Sequence, residues 1–353
     1  MKALPEAALA SRLEQRLVQR IEAEGPIPVA DYMAEANAYY YATRDPFGVA
    51  GDFITAPEIS QMFGELIGLW MADLWDRAGR PADCRYVELG PGRGTLAADA
   101  LRAMRNAGFD PRIELVETSM LLRRMQAERV PDARWHRQVE TLPDDGPLLV
   151  VANEFFDALP IRQHVATAHG WRERWVDRRG GRFVPVEGPA AGTPPPHWPA
   201  APAGTIFESS PASIAVMHAL ADRIAAQGGG ALIFDYGHGR SRTGETLQAV
   251  RSHEHADPWS APGECDLTAH VDFEPLARAA REHGLTAFGP VDQGDWLQAA
   301  GIEVRAAALA RNAPARGGEI AAAKQRLTAP DQMGRLFKAM ALTAPGWPPP
   351  GGC

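Results

Sequence analysis

The chain has 353 residues, of which 45% are hydrophobic and 23% are charged, and its formal net charge is −8. This is the composition of a globular protein, which excludes a disordered or fibrous chain, and the length suggests two domains or one elaborated domain. The acidic balance argues against a surface that neutralises nucleic-acid phosphates. Three cysteines, Cys84, Cys265 and Cys353, lie too far apart for a disulfide framework or a metal knuckle, and they indicate a reducing compartment.

Targeting and membrane signals are weak in this sequence. No apolar run approaches the roughly 20 residues that a membrane helix needs, so we expect no membrane insertion. The N-terminus lacks an apolar signal core, and Glu6 and Glu14 are atypical of a transit peptide. We therefore predict a cytoplasmic protein of the bacterial type.

The first 80 residues have a helical pattern. Leucine or isoleucine recurs every fourth residue from Leu9 to Ile21, and Gly25-Pro26 ends this stripe. A second apolar stripe runs from Ile59 to Leu74. We predict that residues 1–80 form an N-terminal helical cap.

From residue 85 the pattern changes to short apolar strands that alternate with helices. The predicted strands are 85–89, 113–116, 148–152 and 231–235, and the predicted helices are 95–105, 121–127 and 214–226. Such alternation implies right-handed crossovers and a mostly parallel, doubly wound α/β sheet of the Rossmann-like type. We assign residues 81–343 to this domain.

Two stretches interrupt the alternation. Residues 171–176 and 182–186 flank Gly180-Gly181 and predict a β-hairpin, and a loop rich in Pro, Gly and Ala follows over 188–203. We predict an insertion at about 161–210. Residues 344–353 are also rich in Pro and Gly and predict a flexible tail.

A glycine loop follows the first strand of this domain and opens a helix. Gly90, Gly92 and Gly94 permit a tight turn and a close approach of the backbone to a ligand. Counted from Gly90, the dinucleotide pattern G-x-G-x-x-G/A fails at Thr95, whereas counted from Gly92 it is satisfied at Ala97. The spacing alone therefore does not distinguish a dinucleotide from another nucleoside cofactor.

Two glutamates at strand ends favour one of these ligands. Glu88 precedes the loop, where a carboxylate repels a pyrophosphate and attracts the ammonium and sulfonium groups of S-adenosylmethionine. Glu117 ends the second strand, where it can accept hydrogen bonds from both ribose hydroxyls. We predict that Glu88, Gly90, Gly92, Gly94 and Glu117 bind S-adenosyl-L-methionine.

The fourth strand ends in Asn153-Glu154-Phe155-Phe156-Asp157. Carboxylates beside aromatic rings suit a guanidinium, which is planar and cationic. We predict that Asn153 contacts the cofactor and that Glu154, together with Asp157, orients and deprotonates an arginine. The alternative is that the phenylalanines are core residues and that Asp157 caps a helix.

The segment from Gly51 to Glu58 allows two interpretations. Thr55-Ala56-Pro57-Glu58 fits the capping box S/T-x-x-E at a helix start. That motif leaves Gly51-Asp52-Phe53 unexplained, so the segment could equally form a lid over a cofactor, with Phe53 and Thr55 as contacts.

Two further groups of polar residues carry weaker signals. Asp235-Tyr236-Gly237-His238 ends the fifth strand and is either a turn or part of the site. His253, His255 and His270 match no strong metal-ligand spacing, so we predict no metal site.

Several long motifs resemble those of one family, the MidA-like methyltransferases, which include the mitochondrial complex I assembly factor. The resemblance covers roughly residues 26 to 342 and is carried by four blocks besides the glycine loop. These blocks are Gly51-Asp52-Phe53-Ile54-Thr55-Ala56-Pro57-Glu58-Ile59-Ser60-Gln61-Met62-Phe63-Gly64, Asn153-Glu154-Phe155-Phe156-Asp157-Ala158-Leu159-Pro160, Asp266-Leu267-Thr268-Ala269-His270-Val271-Asp272-Phe273 and Pro330-Asp331-Gln332-Met333-Gly334-Arg335-Leu336-Phe337-Lys338.

The resemblance implies a class I methyltransferase that uses S-adenosylmethionine. For the eukaryotic members it implies symmetric dimethylation of a protein arginine on a subunit of the respiratory NADH dehydrogenase. We therefore expect a protein substrate, with no nucleic acid as partner. The alternatives are a methyltransferase of a small molecule, an assembly chaperone that binds the cofactor without catalysis, and a nicotinamide oxidoreductase.

Overall fold

The structure, a computed structural model, describes residues 6–44, 54–191, 198, 201–251 and 254–352, and for residues 6–11 it describes the backbone alone. The chain divides into two compact units. Unit 1 comprises residues 1–53, 157–215 and 240–270, and unit 2 comprises residues 54–156, 216–239 and 271–353. Each unit is therefore assembled from three separate stretches of the chain.

The helices of the described residues are numbered in chain order. They are α1 (Glu6–Glu24), α2 (Val29–Thr43), α3 (Ala56–Ile59), α4 (Gln61–Arg77), α5 (Thr95–Asn106), α6 (Met120–Arg129), α7 (Pro211–Gln227), α8 (Phe273–Glu282), α9 (Gln293–Ala299), α10 (Ile302–Asn312), α11 (Gly317–Thr328) and α12 (Met333–Leu336). Two short 3₁₀ helices span Val139–Thr141 and Pro314–Arg316. No helix in this part of the chain combines the length and the apolar character that crossing a bilayer requires.

The strands are numbered in the same way. They are β1 (Ile27–Pro28), β2 (Arg85–Leu89), β3 (Arg112–Val116), β4 (Arg134–His136), β5 (Leu148–Asn153), β6 (Arg162–Thr167), β7 (Gly170–Arg179), β8 (Arg182–Ala190), β9 (Ile206–Ser209), β10 (Gly229–His238), β11 (Gln248–Arg251), β12 (Glu254–Ala256), β13 (Asp266–Thr268), β14 (Val271–Asp272), β15 (Thr286–Asp292) and β16 (Phe337–Thr343). The strands and helices predicted between residues 85 and 235 agree with these bounds to within four residues at either end.

Unit 2 is built around an eight-stranded sheet in the order β15-β16-β10-β5-β2-β3-β4, with β14 paired to β10. The strands from β4 to β10 run parallel to their neighbours, whereas β16 is antiparallel to both β10 and β15. Strands β2 and β5 are buried along their whole length, as expected for a parallel sheet covered on both faces. The predicted mostly parallel α/β fold is confirmed, and the antiparallel strand β16 is an addition to it.

The strand order reverses between β2 and β5. The chain proceeds from β2 to β3 and β4 on one side and then returns to β5 on the other side. Ligands of open α/β sheets bind outside the carboxyl ends of the strands at such a reversal. Because Leu89 pairs with Ala152, the glycine loop and Asn153-Glu154 leave the sheet at the same edge.

Helix α4 packs directly on α5 within unit 2. A Cβ atom at Gly68 would lie 2.3 Å from the carbonyl oxygen of Ala100, and one at Gly64 would lie 2.8 Å from Cβ of Asp99. These contacts tie α4 to the sheet domain, so the division falls at residue 53 and differs from the boundary predicted at residue 80.

The C-terminal residues, predicted as a flexible tail, instead bond to α4. The indole N–H of Trp70 donates to the carbonyl of Gly351 at 2.9 Å, and Arg77 donates to that of Pro349 at 2.8 Å. A Pro/Gly-rich composition predicted a loose segment because it carries no periodicity, but its carbonyl groups remain able to accept hydrogen bonds.

Unit 1 combines helices α1 and α2 with antiparallel strands. One sheet has the order β1-β7-β6-β9 with β8 paired to β7, and a second has the order β12-β11-β13. The predicted hairpin is β7 and β8, joined at Gly180 and Gly181, whose φ angles of 56° and 81° suit a tight hairpin turn. The predicted insertion is thus a large part of this sheet, although part of its Pro-rich loop lies outside the described residues.

Candidate functional site

The glycine loop lies at the carboxyl end of β2 and leads into α5. Gly90, Gly92 and Gly94 all have positive φ, at 62°, 52° and 79°, which glycine adopts without a steric penalty. A Cβ atom at Gly90 would lie 3.0 Å from the ring of Phe155. The predicted glycines therefore form a close-approach turn at the strand reversal.

Glu88 lies on β2 just before this loop and is only 3% exposed. The phenol of Tyr86 donates a hydrogen bond to its Oε2 atom at 2.5 Å. Burial raises the pKa of Glu88 to about 8, which the bond from Tyr86 offsets only in part. Our prediction assumed an ionised carboxylate at this position, but desolvation keeps the group mostly protonated near neutral pH unless a cation approaches it.

Glu117 follows β3 at the same edge of the sheet. Its Oε1 atom accepts a hydrogen bond from the backbone N–H of Ser119 at 2.7 Å, and its Oε2 atom accepts one from the amide of Gln126 at 3.3 Å. Burial raises the pKa of Glu117, and these two donors act in the opposite direction. The carboxylate is held in place and can accept hydrogen bonds from a diol.

Gln126 is a residue that the sequence analysis missed. It is fully buried on α6, and its amide also donates to the carbonyl of Gly92 at 2.8 Å. A signal was present, because Gln126 lies four residues after the buried Leu122 and therefore on the apolar face of a predicted helix. A glutamine on such a face must find hydrogen-bond partners in the interior.

Asn153 and Glu154 lie at the end of β5. The Nδ2 atom of Asn153 donates to Oε1 of Glu154 at 3.1 Å. The Oδ1 atom of Asn153 is buried and has no hydrogen-bond partner among the described residues. Glu154 has φ 50°, an uncommon conformation for a residue other than glycine, and its N–H donates to Phe234 on β10 at 2.9 Å.

Asp235 on β10 holds the turn that follows Glu154. Its Oδ2 atom accepts hydrogen bonds from the backbone N–H groups of Phe155 at 3.2 Å and Phe156 at 3.0 Å. Asp235 is fully buried. Residues 235–238 lie within β10 and do not form a turn, and Asp235 fixes the backbone that follows Glu154.

The segment at α3 does not form the capping box. Thr55 is the N-cap residue of α3, but its side chain makes no capping hydrogen bond. Glu58 instead accepts a hydrogen bond from the hydroxyl of Thr95 at 2.5 Å, and the N–H of Ala56 donates to Oε1 of Glu154 at 3.2 Å. Residues 55–58 thus connect the start of α5 to the end of β5. The capping-box interpretation, which relied on local spacing alone, did not anticipate these contacts.

The remaining predicted residues lie elsewhere. Phe53, with Gly51 and Asp52, falls outside the described residues. Asp157 belongs to unit 1, where it is 5% exposed and its carbonyl accepts a hydrogen bond from Ala269 at 3.0 Å. His253 also lies outside the described ranges, and within them no group of three or more His, Cys, Asp or Glu side chains is placed to hold a metal ion.

The geometry at this edge of unit 2 fits a nucleoside cofactor with a cationic end. The glycine turn permits close backbone approach, and Glu117 offers a fixed carboxylate. The buried Oδ1 atom of Asn153 is an acceptor that requires a donor, since a buried unpaired polar atom costs about 1–3 kcal/mol. The acceptors Glu117 and Asn153 suit hydroxyl and ammonium groups.

Comparisons with known proteins agree with this geometry. Residues 66–291 match a family described as "Putative S-adenosyl-L-methionine-dependent methyltransferase". Among curated proteins, the chain is 37% identical to rat "Protein arginine methyltransferase NDUFAF7, mitochondrial" over 93% of this chain and 83% of the relative. The human protein of the same name is 35% identical, with 93% of this chain and 82% of the relative covered.

Solved structures resemble the whole chain. A Burkholderia thailandensis protein with bound S-adenosyl-homocysteine is 28% identical and has a TM-score of 0.86, with 100% of this chain and 97% of that chain covered. A second structure from the same organism is 29% identical and has a TM-score of 0.82, with 99% and 96% covered.

One prediction is wrong on these comparisons. We predicted a cytoplasmic protein from the absence of a transit-peptide pattern, but the rat and human relatives are both named as mitochondrial. The composition of the first residues was a poor guide to the compartment, because the similarity to the mitochondrial relatives extends over 93% of this chain.

Proposed function

The chain belongs to this family of S-adenosyl-L-methionine-dependent methyltransferases, and from that premise we propose that it methylates arginine side chains of a protein. The predicted enzyme class and cofactor follow from the family. The protein acceptor is supported by relatives that are 35–37% identical to this chain and are named protein arginine methyltransferases.

We assign the cofactor to the reversal edge of unit 2. S-adenosyl-L-methionine supplies an activated methyl group on a sulfonium when it is bound. Gly90, Gly92 and Gly94 let the backbone approach its methionine part, and Glu117 accepts hydrogen bonds from its ribose. The buried acceptor of Asn153 pairs with one of its donors.

The position of Glu154 is the observation that carries the arginine assignment. Its φ of 50° places it in the left-handed region, which costs about 1–3 kcal/mol and is retained mainly where the surroundings require it. Asn153 and the N–H of Ala56 both donate to its Oε1 atom, so the carboxylate has a defined orientation. A strained and oriented carboxylate at a ligand-binding edge is suited to catalysis rather than to packing.

The chemistry of the acceptor requires such a carboxylate. A guanidinium has a pKa of about 12.5–13.8 and is protonated near neutral pH, so it must be held and relieved of a proton as it reacts. Glu154 can accept hydrogen bonds from the guanidinium and receive that proton. The ring of Phe155, which is only half-buried and lies beside Gly90, offers an apolar face against which a guanidinium packs. Phe156 is buried and belongs to the core, as the alternative interpretation of this strand end expected.

We further propose that the product is symmetric dimethylarginine and that the acceptor is a subunit of a respiratory NADH dehydrogenase. The support is the resemblance to the family that includes the mitochondrial complex I assembly factor. The proposal concerns the identity of the acceptor and leaves the roles of Glu117 and Glu154 unchanged.

The test is transfer of a labelled methyl group. The purified chain is incubated with labelled S-adenosyl-L-methionine and the dissociated subunits of a respiratory NADH dehydrogenase, with Glu154→Gln as the control. We expect label in one subunit, recovered as symmetric dimethylarginine by mass spectrometry, and no label with the variant. Label confined to a small-molecule fraction, or equal labelling by the variant, would overturn the proposal.

A further inference from the structure

Gln126 connects the glycine loop to Glu117, and both the nitrogen and the oxygen of its side-chain amide are hydrogen-bonded. Its side chain is 0% exposed, so its hydrogen bonds replace those that water would make. The Nε2 atom donates to the carbonyl of Gly92 at 2.8 Å and to Oε2 of Glu117 at 3.3 Å. The Oε1 atom accepts from the indole of Trp135 at 2.8 Å.

Trp135 fixes which end of the amide faces which partner. An indole nitrogen can only donate, so the oxygen of Gln126 must face Trp135 on β4. The two N–H groups must then face Gly92 and Glu117, which can both accept. A flipped amide would set two donors against each other at Trp135, so the orientation follows from chemistry.

The backbone of Gln126 also borders the glycine loop. A Cβ atom at Gly94 would lie 3.4 Å from Cα of Gln126, which is ordinary van der Waals contact. Helix α6 therefore supports the loop through both its backbone and this one side chain. The glycine turn and Glu117 leave different strands, and Gln126 is hydrogen-bonded to both.

We propose that Gln126 is a positioning residue for the cofactor. It fixes the position of the Glu117 carboxylate relative to the Gly92 carbonyl, so that the ribose at Glu117 and the methionine part at the glycine loop are bound at the same time. The inference rests on the assignment of Glu117 to the ribose. Ser119 and Gln126 each hold one oxygen of Glu117, which fixes the plane of the carboxylate for a vicinal diol. Without Gln126, the Oε2 atom loses the donor that α6 supplies, and the carboxylate is held only by backbone N–H groups.

Affinity for S-adenosyl-homocysteine, measured by calorimetry, gives the first readout. We expect Gln126→Leu to weaken binding about 10- to 100-fold, because hydrogen bonds to a charged group are lost. Leu122→Ala, on the same buried face of α6, is the matched control and should destabilise the fold while leaving the affinity within about threefold. Trp135→Phe keeps an aromatic ring at this position and removes the N–H group that donates to Gln126. It therefore provides a milder variant if Gln126→Leu fails to fold.

Charge gives a second readout that a packing role would not produce. Gln126→Glu keeps the shape but places a second carboxylate against Glu117. We expect affinity to be lowest at high pH and to recover as the pH falls, because protonation of the pair restores a donor between the two groups. A pH-independent affinity in this variant would contradict the proposal.

The ribose itself gives the decisive readout. Wild-type protein should bind adenosine more tightly than 2′,3′-dideoxyadenosine. In Gln126→Leu, the ratio of the two dissociation constants should approach one. An unchanged ratio, with both ligands weakened equally, would overturn the positioning role. Failure of the wild-type chain to distinguish the two nucleosides would instead remove Glu117 from the ribose, which separates failure of the site assignment from failure of this inference.

Discussion

The carboxyl ends of β3 and β5 lie at one edge of the same sheet but are built differently. At the end of β3, both oxygens of Glu117 accept hydrogen bonds from Ser119 and Gln126. At the end of β5, Asn153 has a buried oxygen with no partner among the described residues, and Glu154 has a left-handed backbone. At the end of β3, the chain itself supplies hydrogen-bond donors to Glu117. At the end of β5, the backbone of Glu154 is strained and the Oδ1 atom of Asn153 has no donor among the described residues.

This difference separates two tasks. A carboxylate that is held rigidly binds a ligand without reorganisation, which suits a cofactor that every turnover uses. The left-handed backbone of Glu154 is strained, and strain of this kind is retained where the surroundings or a function require it, which suits a residue of the transfer step. We therefore expect changes to the Glu117 carboxylate to act on cofactor binding and changes to the Glu154 carboxylate to act on transfer, while the neighbouring Asn153 offers its Oδ1 atom to the cofactor.

The largest effect is expected at Glu154. Glu154→Gln should lower the rate of methyl transfer at least about 100-fold, the usual contribution of a general base, while the affinity for S-adenosyl-homocysteine changes less than about threefold. Single-turnover transfer and calorimetry measure the two quantities. Asp144→Asn, at an exposed position before the opposite end of β5, is the control and should retain full activity. Unchanged turnover in Glu154→Gln would remove that residue from the mechanism.

The next effect is expected at Glu117. Glu117→Gln should weaken S-adenosyl-homocysteine about 10- to 100-fold, because the amide presents a donor where a carboxylate accepted, yet transfer at saturating cofactor should remain near the wild-type rate. The exposed Glu128→Gln on α6 is its control. A lower saturated rate with unchanged affinity would reverse the comparison between the two strand ends.

A third change tests the unmet hydrogen bond at β5. Asn153→Leu removes a buried acceptor that has no donor but also removes the bond to Glu154, so the free energy of unfolding should change by less than about 1 kcal/mol. Cofactor affinity should fall about tenfold through the loss of one acceptor. Denaturant unfolding and calorimetry on the same samples check both values. Wild-type affinity in this variant would show that Oδ1 does not meet the cofactor.

The last prediction concerns the pH dependence of stability through Glu88 on β2, between the two ends. The pKa of Glu88 is raised to about 8 in the folded protein from 4.5, so its contribution to stability is complete below pH 4.5 and is lost as the pH rises to about 8. One such group changes the free energy of unfolding by at most about 1.4 kcal/mol per pH unit. Between pH 5 and pH 8, the free energy of unfolding should decrease less in Glu88→Gln than in wild type. Parallel plots of this free energy against pH would contradict a buried neutral Glu88.

Local sequence patterns predicted the parts of the site that depend on neighbouring residues. The glycine loop and strands β2 and β5 are defined within a few residues, and the predicted bounds of both strands agree with the structure to within one residue. The glutamates at the strand ends followed from the parallel order of the sheet, because that order brings all carboxyl ends to one edge.

Long-range contacts could not be predicted in the same way. Glu58 fits a local capping box but bonds to Thr95, 37 residues later, and the residue that caps α4 is Ser60, which accepts from Met62. The ionisation of Glu88 depends on burial, which a sequence motif does not report. The hairpin β7–β8 of unit 1 was predicted, but the assembly of this unit from three stretches of chain was not, because no stretch carries a local signal for the others.

The central claim is that the Glu117 carboxylate serves cofactor binding and the Glu154 carboxylate serves methyl transfer, and one paired measurement tests it most directly. S-adenosyl-homocysteine affinity and single-turnover methyl transfer at saturating cofactor are determined for Glu117→Gln and Glu154→Gln side by side. We predict that the first variant loses affinity and keeps its rate, and that the second keeps affinity and loses its rate. If both variants lose the same quantity, the two ends act as one element and the account is contradicted.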